Sequence, residues 1–130
     1  MKGTVYITKF HLFFPPFLNL IYTNKKELEW DYMKTENIKS IINTHDKDEE
    51  FYNAEYPNHK EALINFLEAQ GITLEEQEIT ENTGTPYIDS DGFTGIKSEV
   101  SISSLHLKVS IIAFQHKGWD FYFDGIKDIN

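Results

Sequence analysis

From Leu105 to Phe123 the apolar residues fall largely on alternating positions, and no other stretch constrains the fold as much. Leu105, Leu107, Val109 and Ile111 share one face of an extended chain. Past Ser110 the parity changes, and Ile112 and Phe114 are apolar on the opposite face. Lys117-Gly118 can make a tight turn, and Trp119, Phe121 and Phe123 follow it. A two-residue turn there pairs His116 with Trp119, Phe114 with Phe121 and Ile112 with Phe123, all on one face. The strand must then bend at a bulge near Ser110 or be covered on both sides.

The clearest helix runs from His59 to Gln70. Asn58 stands at the N-cap with Glu61 three residues on, Ala62, Leu63, Phe66 and Leu67 form the apolar stripe, and Gly71 stops it. A shorter helix is expected from an N-cap at Thr35 to near Thr44, with Ile38, Ile41 and Ile42 on one side. Strands are expected over Gly3–Phe14, Phe17–Thr23, Ile72–Thr80 and Ile96–Ser103. Over Glu27–Met33 the alternation of Leu28, Trp30 and Tyr32 with Glu27, Glu29 and Asp31 favours a half-buried strand over a helix. His45–Pro57 and Asn82–Gly95 read as loops, the second holding a turn at Asp89-Ser90-Asp91-Gly92. The pattern implies one α+β domain: an antiparallel or mixed sheet of about five to seven strands with two helices packed on it. At 130 residues the chain fits one domain able to bury roughly two-thirds of its unfolded surface.

Charge narrows the partners. Asp and Glu number 21 against 12 cations, a net of −9, and every cation is lysine. Nucleic acid and anionic membrane surfaces call for a basic face, so the balance argues against both. With no cysteine there are no disulfides, thiolate chemistry or Cys-based zinc sites. The apolar run Phe10–Tyr22 resembles a signal core, but Pro15-Pro16 interrupts it and no small-residue cleavage site follows. It is too short to span a bilayer, and the expected location is the cytoplasm.

No cofactor fingerprint is present. His11, His45, His59, His106 and His116 show no zinc-ligand spacing, and Asp89–Gly92 lacks the later ligands of a calcium loop. With 21 carboxylates, an acid–base pair can arise by chance on any fold, and no serine sits in a nucleophile motif. Three acidic surfaces remain: the alternating Glu27, Glu29 and Asp31; the segment Asp46, Asp48, Glu49, Glu50, Glu55 with Phe51, Tyr52 and Tyr56; and Glu75, Glu76, Glu78 and Glu81. In the second, aromatics supply anchoring area and carboxylates steer a basic partner, unless those rings simply pack inward to hold a solvated loop. Phe13–Phe17 is a further sticky segment or a buried turn.

The expected function is therefore a binding protein that neutralises a basic protein partner by occlusion, in the manner of an immunity protein against a bacterial toxin or a phage-borne inhibitor of a defence enzyme. Its expected contacts are the first two surfaces. A small enzyme or ligand-binding domain, with a pocket lined by Trp30, Trp119 and Tyr122 between sheet and helices, is the second expectation. A structural or assembly component is the third.

Overall fold

The structure is a computed structural model describing residues 16–129, with side chains from residue 30 onward. The strand expected over Gly3–Phe14 and most of the Phe13–Phe17 segment lie outside the described residues. The chain divides between Met33 and Lys34 into two compact units.

Helix α1 runs from Pro16 to Thr44. Pro16 takes a first helical position, where its missing N–H costs nothing. The strands expected over Phe17–Thr23 and Glu27–Met33 are therefore helical, and Thr35 lies within the helix instead of capping it. Two causes outweigh the alternation. Lys25 to Glu29 are strong helix formers, and extending a helix that already exists needs no new nucleus. Nor does burial enforce the alternation: Trp30 and Tyr32 are 64% and 68% exposed.

In the unit Lys34–Asn130, the last turns of α1 bury Ile38 and Ile42, as the stripe requires. Thr44 closes the helix by donating its hydroxyl to the Ser40 carbonyl at 2.7 Å. Lys39 meets Asp128 at 2.8 Å, and the hydrogen bond to that carboxylate holds the ammonium above its ordinary value.

Helix α2 (His59–Ala69) matches expectation closely. The Asn58 side chain accepts from the Glu61 N–H at 2.9 Å, and Gly71 follows the helix at φ +88°. Ala62, Leu63 and Leu67 are fully buried, and Phe66 packs beside them.

Among the described residues the sheet is antiparallel and has six strands: β1 (Tyr52–Ala54), β2 (Ile79–Glu81), β3 (Thr85–Ile88), β4 (Thr94–Ile102), β5 (Leu107–Gln115) and β6 (Trp119–Asp128). Their order is β1-β6-β5-β4-β2, with β3 also on β4. The architecture is α+β as the sequence implies. β1 and β3 fall where loops are expected, and only the end of the Ile72–Thr80 strand forms, as β2. Among the described residues β3 pairs with β4 alone, so Pro86 sits on an outlying strand that tolerates it.

The β5–β6 register corrects the expected turn. Gln115 pairs with Trp119, leaving a three-residue connection, His116–Gly118. The His116 N–H donates to the Gly118 carbonyl at 2.8 Å. Lys117 and Gly118 have φ of +51° and +109°, and a Cβ on Gly118 would stand 2.9 Å from the Ala54 carbonyl oxygen, so glycine is required there. This one-residue shift exchanges faces. Phe121 pairs with Ala113 and Phe123 with Ile111, extending the row Leu107, Val109, Ile111 and Ala113 without a break. The irregularity does fall at Ser110/Ile111, but the extra residue is Asp124 on β6. It reverses the parity of β6, so that Ile126 follows Phe121 and Phe123 onto the core side.

One face of the sheet thus packs its apolar rows against α2 and the end of α1, with Phe121, Leu63, Leu67, Ile38 and Ile111 at the centre. No helix among the described residues is long and apolar enough to cross a membrane.

Candidate functional site

The opposite face of the sheet carries the site, and strand register assembles it. One row crosses five strands: Tyr87, Gly95, Phe114, Asp120 and Asn53. The next holds Thr85, Lys97, Ile112 and Tyr122. Gly95 lies between Tyr87 and Phe114 because nothing larger fits. A Cβ there would come within 2.5 Å of the Ala113 carbonyl oxygen and 2.9 Å of the Phe114 ring. Over this gap the Tyr87 and Phe114 rings meet edge to face at 6.0 Å, and Phe114 meets Tyr122 the same way at 5.8 Å. The three rings and Ile112 line the floor of an open groove of about 790 Å³.

Six carboxylates surround that floor: Asp48 and Glu50 before β1, Asp89 and Asp91 at the β3–β4 turn, and Asp120 and Asp124 on β6. Lys47 and His116 also line it. Two carboxylates are already engaged. Asp89 accepts from the N–H groups of Asp91 (2.9 Å) and Phe93 (2.8 Å), which fixes the turn. Asp124 holds Lys97 at 3.0 Å. Burial would raise the Asp124 carboxyl, but the hydrogen bond and charge of Lys97, with the Ser110 hydroxyl, carry it below its ordinary value.

Glu50 and Asp120 form the other arrangement. Asp120 is largely buried, accepts a short hydrogen bond from the Asn53 amide and stands 4.0 Å from the His116 ring nitrogen. Glu50 reaches it from the loop, and hydrogen bonding between the two carboxyls, then desolvation and the charge of Asp120, raise Glu50 above its ordinary value. Burial, with the charges of Asp120 and Glu50, raises the Tyr122 phenol, keeping its O–H a donor. Two adjoining carboxyls beside aromatic rings can share a proton or hold an organic cation. Among the described residues, no group of three or more histidine, aspartate or glutamate side chains is placed to hold a metal ion.

Of the residues expected from the sequence, Asp48 and Glu50 line the groove. Asp46 is spent locally, accepting from the Asp48 N–H at 2.9 Å, and Glu49 and Glu55 are exposed outside it. Phe51 is buried and Tyr52 half-buried, its hydroxyl accepting from Asn65 at 2.9 Å, so these rings hold the loop down from within. Tyr56 is 71% exposed and borders a separate hollow with Lys60 and Glu81. Glu27, Glu29 and Asp31 belong to α1, where a rotation of about 100° per residue does not keep three alternating positions on one side. Glu78 and Glu81 serve the fold. Glu78 accepts from the Ser104 hydroxyl at 2.5 Å, which lowers its carboxyl, and Glu81 accepts from the Lys60 N–H at 2.6 Å at the start of α2. Of the expected pocket residues Trp30, Trp119 and Tyr122, Trp30 is exposed, Trp119 packs toward the core and Tyr122 faces the groove, so Trp119 and Tyr122 do not line one pocket.

Asp120, Asp124, Tyr87 and Phe114 were not foreseen as site residues. Tyr87 alone had a signal, the Asp89–Gly92 turn: read as the tip of a hairpin, it brings Tyr87 beside Gly95. Compared with protein-family models, curated proteins and solved structures, the chain has no significant match.

Proposed function

We propose that this chain is a small acidic binding protein that neutralises a basic protein partner by covering it, as an immunity protein does for a toxin or a phage-borne inhibitor for a defence enzyme. The observation that carries this reading is the groove, where carboxylates from three separate segments ring an aromatic floor. Aromatic rings give contact area at low entropic cost, and the carboxylates supply the steering field. The opposite charge of such a partner, for instance the active site of a nucleic-acid-handling enzyme, would meet carboxylates where it normally meets phosphates.

Asp48 and Glu50, on the acidic loop, remain the proposed contacts, now joined by Asp120. The test is capture of partners by tagged protein at low and high salt, beside a variant carrying Asp48→Lys, Glu49→Lys and Glu50→Lys. A dominant basic protein released by salt, and lost with the triple reversal, supports the reading. Capture of nothing basic, or capture indifferent to the reversal, overturns it.

A ligand-binding reading is favoured by one observation, the edge-to-face floor of Tyr87, Phe114 and Tyr122. It predicts saturable binding of a small organic molecule with no protein partner.

A further inference from the structure

We infer that the groove receives a guanidinium side chain from that partner, laid against the Tyr122 and Phe114 rings with its head between Glu50 and Asp120. The inference rests on the neutralising reading for the source of the guanidinium, but the chemistry of the groove selects it.

The six carboxylates are not equivalent. Asp89 is tied to its own turn, and Asp124 already has Lys97. Glu50 and Asp120 share the same stretch of the groove, with the ring of His116 at 4.0 Å from Asp120 and, among the described residues, no lysine bridged to either. Asn53 occupies one Asp120 oxygen, which fixes the carboxylate and directs the other toward His116 and the groove. Asp120 is largely buried while Glu50 is exposed, and a cation placed between two neighbouring carboxylates removes their repulsion.

A guanidinium matches this corner better than an ammonium. It is planar, so it can lie on an aromatic face, and its forked donors can address two carboxylates together. Phe114 pairs with Asp120 across the β5–β6 ladder, and its ring meets that of Tyr122 on the floor of the same groove. At about 790 Å³ the groove exceeds one side chain and has room for the residues flanking it. Lys97 and Lys108 are already bridged to Asp124 and Glu99, and Lys47 stands beside Asp48 on the groove lining, so Glu50 and Asp120 are the carboxylates left facing each other without a lysine bridged to either among the described residues.

The experiment is a titration of isotope-labelled full-length protein with N-acetyl-arginine amide, followed by backbone amide shifts, with N-acetyl-lysine amide as the comparison. The shifts should centre on Glu50, Phe114 and Asp120–Phe123. The arginine compound should bind several-fold tighter, and the double variant Glu50→Gln, Asp120→Asn should weaken it about tenfold. Asn at 120 can still accept from Asn53. Tyr122→Leu, which leaves every charge in place, should weaken the arginine compound more than the lysine one. Shifts spread evenly over Glu55, Glu75 and Glu76, equal affinity for both compounds, or binding unchanged in the double variant would overturn the inference. A basic partner still captured by that variant would leave the neutralising reading standing and the guanidinium site refuted. Specific binding of the arginine compound without any basic partner would do the reverse.

Discussion

Phe51 lies face to face on Phe123, with ring centroids 3.8 Å apart and planes 7° from parallel. Phe66 of α2 meets both rings edge-on, at 5.3 and 5.2 Å, and His45 closes the cluster against Phe66 and Phe123. The Phe51 N–H donates to the Phe121 carbonyl at 2.8 Å. A buried residue therefore fixes the position of its exposed neighbour, and Glu50 stands at Asp120 because Phe51 is anchored in the core.

Phe51→Ala should therefore act on both fold and site. Emptying the ring position should cost about 3–5 kcal/mol, read from urea unfolding midpoints. Phe51→Leu, which refills most of the space, should cost less while removing the stack. Under conditions where it is fully folded, it should still bind N-acetyl-arginine amide more weakly than the parent, because the loop carrying Glu50 loses its stacked anchor.

Glu50→Gln should stabilise the protein at neutral pH. The Glu50 carboxyl is raised by its hydrogen bond to Asp120, then by desolvation and the Asp120 charge, with the His116 charge opposing. A carboxyl raised by folding binds its proton more tightly in the folded state, so ionising it costs stability. That cost is absent below the unfolded value, where both states are protonated, and is complete above the folded value. The difference between variant and parent should therefore be largest at neutral pH and shrink as pH falls through the carboxylate range. Unfolding midpoints measured across that range decide it. A variant less stable than its parent at neutral pH would show that the pair is held by a favourable contact and not by repulsion. A surface pair that costs stability is what a binding site retains and a solvated face would shed.

The sequence was legible where local chemistry and burial agree. Asn58, Glu61, the stripe of Ala62, Leu63 and Leu67, and Gly71 all point to the same helix, and α2 forms within a residue of expectation. It was misleading where alternation lacked burial: Trp30 and Tyr32 fit the alternation yet are exposed, and the helix propensity of the preceding residues prevails. The hairpin failed by one residue at its turn. Both registers place Phe121 and Phe123 on a shared face, so the pattern alone does not choose between them; the positive φ of both Lys117 and Gly118 and a three-residue connection do. The site was half legible. Asp48 and Glu50 could be read from an acidic-aromatic loop, whereas Asp120 and Phe114 join them only once the β5–β6 and β1–β6 registers are fixed.

Asn58→Ala should cost about 1 kcal/mol, the usual worth of an N-cap side chain. Glu81→Gln should cost less, since the amide oxygen can still accept from the Lys60 N–H but loses the favourable charge at the helix start. Neither change should alter partner capture, because both residues lie outside the groove. Loss of capture in a folded Glu81→Gln protein would move the site to the hollow beside Tyr56.

Gly95→Ala tests whether the floor of the groove and the sheet share one constraint. The added methyl meets a backbone oxygen, that of Ala113, which moves only if the β4–β5 ladder opens, and the Phe114 ring, which can swing away. The ring can yield, but the 2.5 Å approach to the oxygen persists, so the β4–β5 ladder must also shift locally. Overpacking of this kind costs about 1–3 kcal/mol, a loss the thermal midpoint reports. The displaced ring leaves both edge-to-face contacts, with Tyr87 and Tyr122, so the near-ultraviolet circular dichroism should change while the far-ultraviolet spectrum holds. Affinity for N-acetyl-arginine amide should fall although no charge has been altered. If the ring signature and the affinity both survive the substitution, the aromatic floor plays no part in recognition and the carboxylates act alone.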